Sequence, residues 1–183
     1  MVFTAGLHGS GKSVLSESAS EQGFNVYSMG DAVREEVRRR GQVPTNAVIS
    51  ALSTQLRRER GERAVAELTM KVFDVKGDRI VFDGLRSLDE RSFFQETLGK
   101  GILVSVHASP KTRYERWLLR KRVDDPSDFE SFLRRDMNDL SFGLGSLMVM
   151  ADYHLVNESV TREQFKSICA ELLRRLLHEA ETH

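Results

Sequence analysis

Cysteine occurs once in these 183 residues, proline three times, and no apolar stretch approaches the length of a membrane span. One cysteine, Cys169, excludes an intramolecular disulfide and fits a reducing compartment. It lies among Phe165, Ile168, Leu172, Leu173, Leu176 and Leu177, which recur at helical spacing, so it reads as a small buried apolar residue. Few prolines and no low-complexity tract argue against a flexible linker, and the length suits one domain with a small insertion. Without a long apolar run there is no membrane-spanning helix. The N-terminus also lacks the charged start and apolar segment of a secretory leader. The expectation is a cytoplasmic protein. An excess of one charge is missing too, because 27 Lys plus Arg balance 27 Asp plus Glu. Overall charge gives nucleic-acid binding no support, so any anion site must come from local clustering of arginine.

Short apolar runs are present: "VFTA" (2–5), "FNVYS" (24–28), "RIVFD" (79–83), "ILVSVH" (102–107) and "YHLVN" (153–157). Amphipathic stretches separate them, which predicts a parallel sheet covered on both faces. Asp31 is expected to cap a helix running to Gly41. Further helices are expected over 45–60, 62–76, 88–98 (with Ser87 and Glu90 as a capping box) and 110–121. Thr161 with Gln164 opens the last helix. About fifty residues separate the second and third runs, where a plain crossover needs one helix. The extra helices point to an insertion over 31–76.

The strongest motif is Gly6-Leu7-His8-Gly9-Ser10-Gly11-Lys12-Ser13, which fits G-x-x-x-x-G-K-[ST] between an apolar run and a helix. Its glycines let backbone N–H groups turn toward phosphate oxygens, at the start of a helix whose dipole favours the same anion. Lys12 is expected to reach the outer phosphates of ATP and Ser13 to bind Mg²⁺. The run ending in Asp83 reads as a Walker B strand whose carboxylate also holds Mg²⁺. Arg86, three residues on, falls at the rim where ligands bind in open parallel sheets. Asp31 and Arg34 open the insertion one helical turn apart. Between 113 and 136, Arg116 and Arg120 share a helix face, followed by Arg122, Arg134 and Arg135. Near a phosphate loop such a run reads as a lid, about 120–136, bringing positive charge onto a moving phosphoryl group.

The chain resembles the nucleoside monophosphate kinases, with adenylate kinase and dephospho-coenzyme A kinase as named relatives. More closely, "GDAVREE", "DGLRS", "VHASPKTR" and "ADYHLVNE" resemble the hallmark stretches of a family of predicted archaeal P-loop kinases, in that order and across nearly the whole chain. The resemblance implies an α/β fold: a P-loop NTPase three-layer α/β/α with a five-stranded parallel sheet, a helical acceptor-binding insertion and a short lid. "SMGD-x-x-R" is similar to an adenylate-kinase segment and implies that Arg34, with Asp31 beside it, grips the acceptor's phosphate, assisted by Arg86. "DGLR" is shorter than the D-G-F-P-R of adenylate kinases. Arg116 and Arg120 match the pair before the lid, the first of which commonly stacks on the donor base. Arg122 with Arg134 or Arg135 resembles the lid arginines around the transferred group. The activity implied is ATP-dependent, Mg²⁺-dependent transfer to a small nucleotide-like acceptor, with no membrane partner. Hydroxyl phosphorylation of the dephospho-coenzyme A kinase kind, with Asp31 as base, stays open. So does an RNA-linked ATPase of adenylate-kinase shape. A GTPase switch lacks its Asn-Lys-x-Asp motif here, and the sensor segments of assembly ATPases are missing.

Overall fold

The computed structural model describes residues 1–120 and 128–181. Five parallel strands form one sheet: β1 (Val2–Ala5), β2 (Asn25–Ser28), β3 (Ile80–Leu85), β4 (Ile102–His107) and β5 (Tyr153–Val156), in the order β2-β3-β1-β4-β5. The helices are α1 (Lys12–Glu21), α2 (Met29–Arg39), α3 (Asn46–Arg60), α4 (Ala64–Val72), α5 (Leu88–Leu98), α6 (Pro110–Arg120), α7 (Phe129–Ser141), α8 (Leu144–Val149) and α9 (Arg162–Glu181).

Alternation along the strands sorts the core into two layers. Phe3, Ile80, Phe82 and Leu103 face the side covered by α2, α3, α4, α5 and α8. Val2, Val81, Val104 and Val106 face α1 and α9, where Cys169 is fully buried beside Phe165 and Leu173. The arrangement is the expected three-layer α/β/α fold. The three helices between β2 and β3 share the first layer. Val33, Val37, Leu52, Leu56 and Val65 belong to the same cluster as Phe3 and Phe82, so the insertion has no separate core.

Several helix ends differ from expectation. Asp31 does not cap α2. Ser28 does, its Oγ accepting the Asp31 backbone N–H at 3.2 Å, and the helix starts two residues earlier at Met29. Asp31 is left in the first helical turn. Helix α4 is shorter than 62–76 because Phe73 turns extended and packs on Tyr27, whose hydroxyl accepts the Lys76 N–H at 3.0 Å. Ser87 caps α5 as expected, accepting from the Glu90 N–H at 3.2 Å, but the Glu90 carboxylate reaches the Arg86 N–H at 2.7 Å rather than the cap residue's own. Thr161 and Gln164 exchange both bonds of a capping box, at 2.8 and 3.2 Å. Helix α8, which begins after Gly143, carried no expectation.

The densest part of the first layer is aromatic. Phe82 and Phe94 stack with ring centroids 3.9 Å apart, and Phe3 packs on both. Phe94 has no exposed surface, so Phe94→Ala should cost about 3–5 kcal/mol of unfolding free energy, read by urea titration. A loss under about 1 kcal/mol would mean that the rings do not carry this layer.

Candidate active site

The loop between β1 and α1 is held by its carbonyl oxygens. Lys12 Nζ donates to Gly6 O at 2.6 Å and Leu7 O at 3.3 Å. Arg113, on α6, donates to His8 O at 3.2 Å. Arg116, one turn on, donates to Gly9 O at 3.2 Å and Ser10 O at 3.5 Å, and Asn157 Nδ2 donates to Ser10 O at 2.8 Å. A trans peptide points its N–H away from its C=O. Tethering carbonyls 6–10 therefore turns amides such as those of Gly9 and Gly11 the opposite way, and the first amides of α1 lack intrahelical partners. Three loop glycines are required on steric grounds, and at Gly9, with φ 79°, a Cβ would strike the Arg113 carbonyl. Gly6 and Gly11 sit at φ 151° and 110°, and a Cβ would strike the Val106 carbonyl at the first and the Asn157 amide at the second.

These amides face a cavity of about 680 Å³. The loop, Asp83, Gly84 and Arg86 line it. Arg116, Trp117, Asn157, Val160 and Phe165 also line it, as do Arg34, Ile49, Ser53, Arg57 and Val65 from α2, α3 and α4. Among the described residues, six cationic side chains (Lys12, Arg34, Arg57, Arg86, Arg116 and Arg162) line it against two carboxylates, Asp31 and Asp83. The chain is neutral overall, so this is the local clustering an anion site needs. Burial pushes the Lys12 ammonium below its ordinary pKa, with Asp83 pulling the other way.

Register explains Asp83. Thr4 pairs with it across β1 and β3, and the Thr4 hydroxyl donates to Asp83 Oδ1 at 2.5 Å. The same hydroxyl accepts the Gly84 N–H at 3.2 Å, where the register slips between Thr4 and Ala5. Asp83 and Ser13 both line the cavity. Among the described residues no group of three or more His, Cys, Asp or Glu could hold a metal. Two hard oxygen donors are nonetheless what Mg²⁺ takes from protein when phosphate oxygens and water complete its shell. The residues fit that ion.

Arg86 is ion-paired with Asp139, and its Nη2 lies 3.3 Å from His8 Nε2. Asp139 Oδ2 lies 3.2 Å from the same His8 nitrogen, and Arg135 Nη2 lies 3.4 Å from His8 Nδ1. Arg113 is nearly fully buried and bidentate to Asp136 at 2.8 and 2.6 Å. Arg57 pairs with the fully buried Glu90 at 2.5 Å and lies 4.5 Å above the Phe142 ring.

A family model described as an AAA domain matches residues 5–133. A UPF0200 protein of Hyperthermus butylicus is 48% identical over 177 residues, covering 96% of this chain and 94% of its own length. The chain belongs to the AAA-domain and UPF0200 families. Among solved structures it is similar to shikimate kinase from Bacteroides thetaiotaomicron, with a TM-score of 0.60, 18% identity and 97% of both chains covered. It is also similar to a gluconokinase from Sinorhizobium meliloti, with a TM-score of 0.57, 20% identity, and 99% and 95% of the chains covered. The fold is that of the P-loop kinases.

Against this fold the expected residues divide. Gly6, His8, Gly9, Gly11, Lys12, Ser13, Asp31, Arg34, Asp83, Arg86 and Arg116 meet in one cavity wall. Arg34 is ion-paired with Asp31. Arg135 faces His8, but Arg134 is on an exposed face with Glu130 at 2.5 Å and does not reach the cavity. Arg122 and the Arg120 side chain lie outside the described residues. Sequence reading missed Thr4, Arg57, Glu90, Arg113, Asp136, Asp139 and Asn157. A signal existed for two of them: Asp136 and Asp139 stand one turn apart on a helix otherwise read only for its arginines. Ile49, Ser53 and Arg57 follow i, i+4, i+8, a polar break in an apolar stripe.

Acid stability follows from the His8 cluster. Burial pushes His8 down to about 3, against the pull of Asp139. Burial opposes ionisation of Asp139, but Arg86 and the His8 hydrogen bond outweigh it and hold its pKa at about 2. The unfolded imidazole takes its proton near 6.5, so the His8 contribution is complete above that pH and is lost as pH falls toward 3. The Asp139 contribution is lost lower, between its ordinary 3.8 and about 2. Urea-unfolding stability should decline from pH 6.5 to 4, and His8→Gln should flatten that limb. An unchanged slope in the variant would remove His8 as the cause.

Proposed function

We propose that the protein is a small-molecule kinase that transfers the terminal phosphoryl of ATP, with Mg²⁺, to a nucleotide or nucleotide-like acceptor. One observation carries the reading: a single cavity is lined both by the phosphate loop and by α2–α4. An ATPase needs only the first wall. The volume, about 680 Å³, falls within the range of small-molecule sites.

The donor phosphates lie on the loop amides and Lys12. Two of the three Lys12 N–H groups go to loop carbonyls, which leaves one for a phosphate oxygen. Mg²⁺, held through Ser13 and Asp83, supplies charge neutralisation of the outer phosphates. Arg116 spends its edges on Gly9, Ser10 and Asn157, so its planar face is what remains for the donor base. Arg34 grips the acceptor's phosphate, with Ser53, Ile49, Val65 and Arg57 lining the same cavity. An acceptor oxygen bonds to the γ-phosphorus as the bond to the β–γ bridging oxygen breaks, and ADP leaves. Arg86 meets the charge on the moving group. Little covalent chemistry is asked of the protein; positioning and electrostatics carry the rate.

A second reading has a specific observation behind it. Asp31 is not the helix cap and lines the cavity beside Arg34, where it could take a proton from an acceptor hydroxyl. The products differ: a phosphate ester survives acid that cleaves a phosphoanhydride.

An acceptor screen with labelled ATP tests the proposal. ADP should appear together with a labelled acceptor, and chelation should abolish transfer until Mg²⁺ is restored. Free phosphate alone, with every acceptor, would mean an ATPase. Lys12→Ala should lower turnover ~10²–10³-fold. Arg34→Ala should mainly raise the acceptor KM, as loss of a contact made equally in ground and transition states does. An unchanged KM would take the acceptor away from α2.

A further inference from the structure

Arg86 leaves β3 at the cavity rim and is held at both ends. Its backbone N–H donates to Glu90 Oε2 at 2.7 Å. Glu90 Oε1 is in turn paired with Arg57. At the far end the guanidinium is ion-paired with Asp139, on α7. Asp139 has only 3% of its surface exposed, and it stands behind the arginine rather than among the residues that line the cavity. With its proton on Nε2, a neutral His8 imidazole donates to Asp139 and turns Nδ1 to Arg135, so the Arg86 guanidinium, 3.3 Å from that Nε2, finds its acceptor in Asp139 rather than in the ring. The same helix uses Asp136, one turn earlier, to hold Arg113 against the loop.

We propose that Asp139 is a positioning residue that acts through Arg86, fixing the guanidinium in the cavity wall so that its remaining N–H groups face the transferring phosphoryl. The inference rests on the kinase reading above. Two physical facts lead to it. A carboxylate–guanidinium pair with a buried carboxylate and a partly exposed arginine stabilises a fold no better than well-packed apolar residues, so stability alone does not explain Asp139. An arginine also loses much rotamer freedom when ordered, and a clamp at each end removes that freedom before substrate arrives. In this account α7 is the fixed back of the site. Two of its buried residues, Asp136 and Asp139, are carboxylates that hold arginines supplied by α6 and by the segment after β3.

The test is a double-mutant cycle on kcat. Wild type, Asp139→Asn, Arg86→Ala and the double variant are assayed with labelled ATP and AMP, CMP, GMP and UMP as acceptors. Asp139→Asn should lower kcat roughly ten- to hundredfold with little change in the KM for ATP. Asp139→Glu should recover part of that loss, and the double variant should be no slower than Arg86→Ala alone. Losses that multiply in the double variant, or a wild-type kcat in Asp139→Asn, overturn the inference while leaving the kinase reading intact. Should Asp139→Asn alone fail to fold, the double variant lacks both members of the pair and its comparison with Arg86→Ala still decides. A wild type that transfers to none of the four acceptors removes the nucleotide-acceptor reading, and this inference with it.

Discussion

The tethering of the loop carbonyls is the contact on which the rest of the site depends. A run of backbone turned to present its N–H groups must put its C=O groups somewhere, and buried carbonyls need donors. Here four side chains are the donors: Lys12 at the start of α1, Arg113 and Arg116 on α6, and Asn157 after β5. Strand order makes this possible. β4 lies beside β1 and β5 beside β4, so the segments following both strands reach the loop. Asp136 extends the chain of contacts to α7 by holding Arg113.

Charge is organised in the same way. A neutral chain places, among the described residues, six cations around one cavity and matches several of them to carboxylates that stand outside it, such as Glu90, Asp139 and Glu17. Such partners hold each cation in place while leaving part of it for an anion. The pairing also keeps the arginines apart without asking the fold to tolerate bare repulsion among them.

The sheet, the loop and the paired Asp83 were legible in the sequence because each is a local pattern: alternating apolar runs, fixed glycine spacing, a strand ending in Asp. Register-dependent partners were not. Thr4 becomes the holder of Asp83 only when β1 lies next to β3, and Asp139 becomes the holder of Arg86 only when α7 packs against the loop. Arg113 reads as one more charge on a basic helix until Asp136 appears beside it. Residue type alone points to Asp31 as the cap, yet Ser28, three residues earlier, offers a hydroxyl in the extended conformation a cap needs. Arg134 was included for its charge, although its spacing from Glu130 already fits a solvent-facing i, i+4 pair.

The central claim is that side chains bound to the loop carbonyls shape the nucleotide site, and Arg113 allows it to be tested without touching the cavity, which it does not line. Replacing both members of its pair, Arg113→Met with Asp136→Leu, exchanges a buried ion pair for apolar packing, with a stability cost that comes mainly from the Ala108 and His8 carbonyls left without the Arg113 donor. The tether on the His8 carbonyl is lost. Calorimetric titration of ATP in the presence of Mg²⁺ should then show binding weakened roughly tenfold, the scale of one lost hydrogen bond. A stably folded double variant that binds ATP as tightly as wild type would contradict the account.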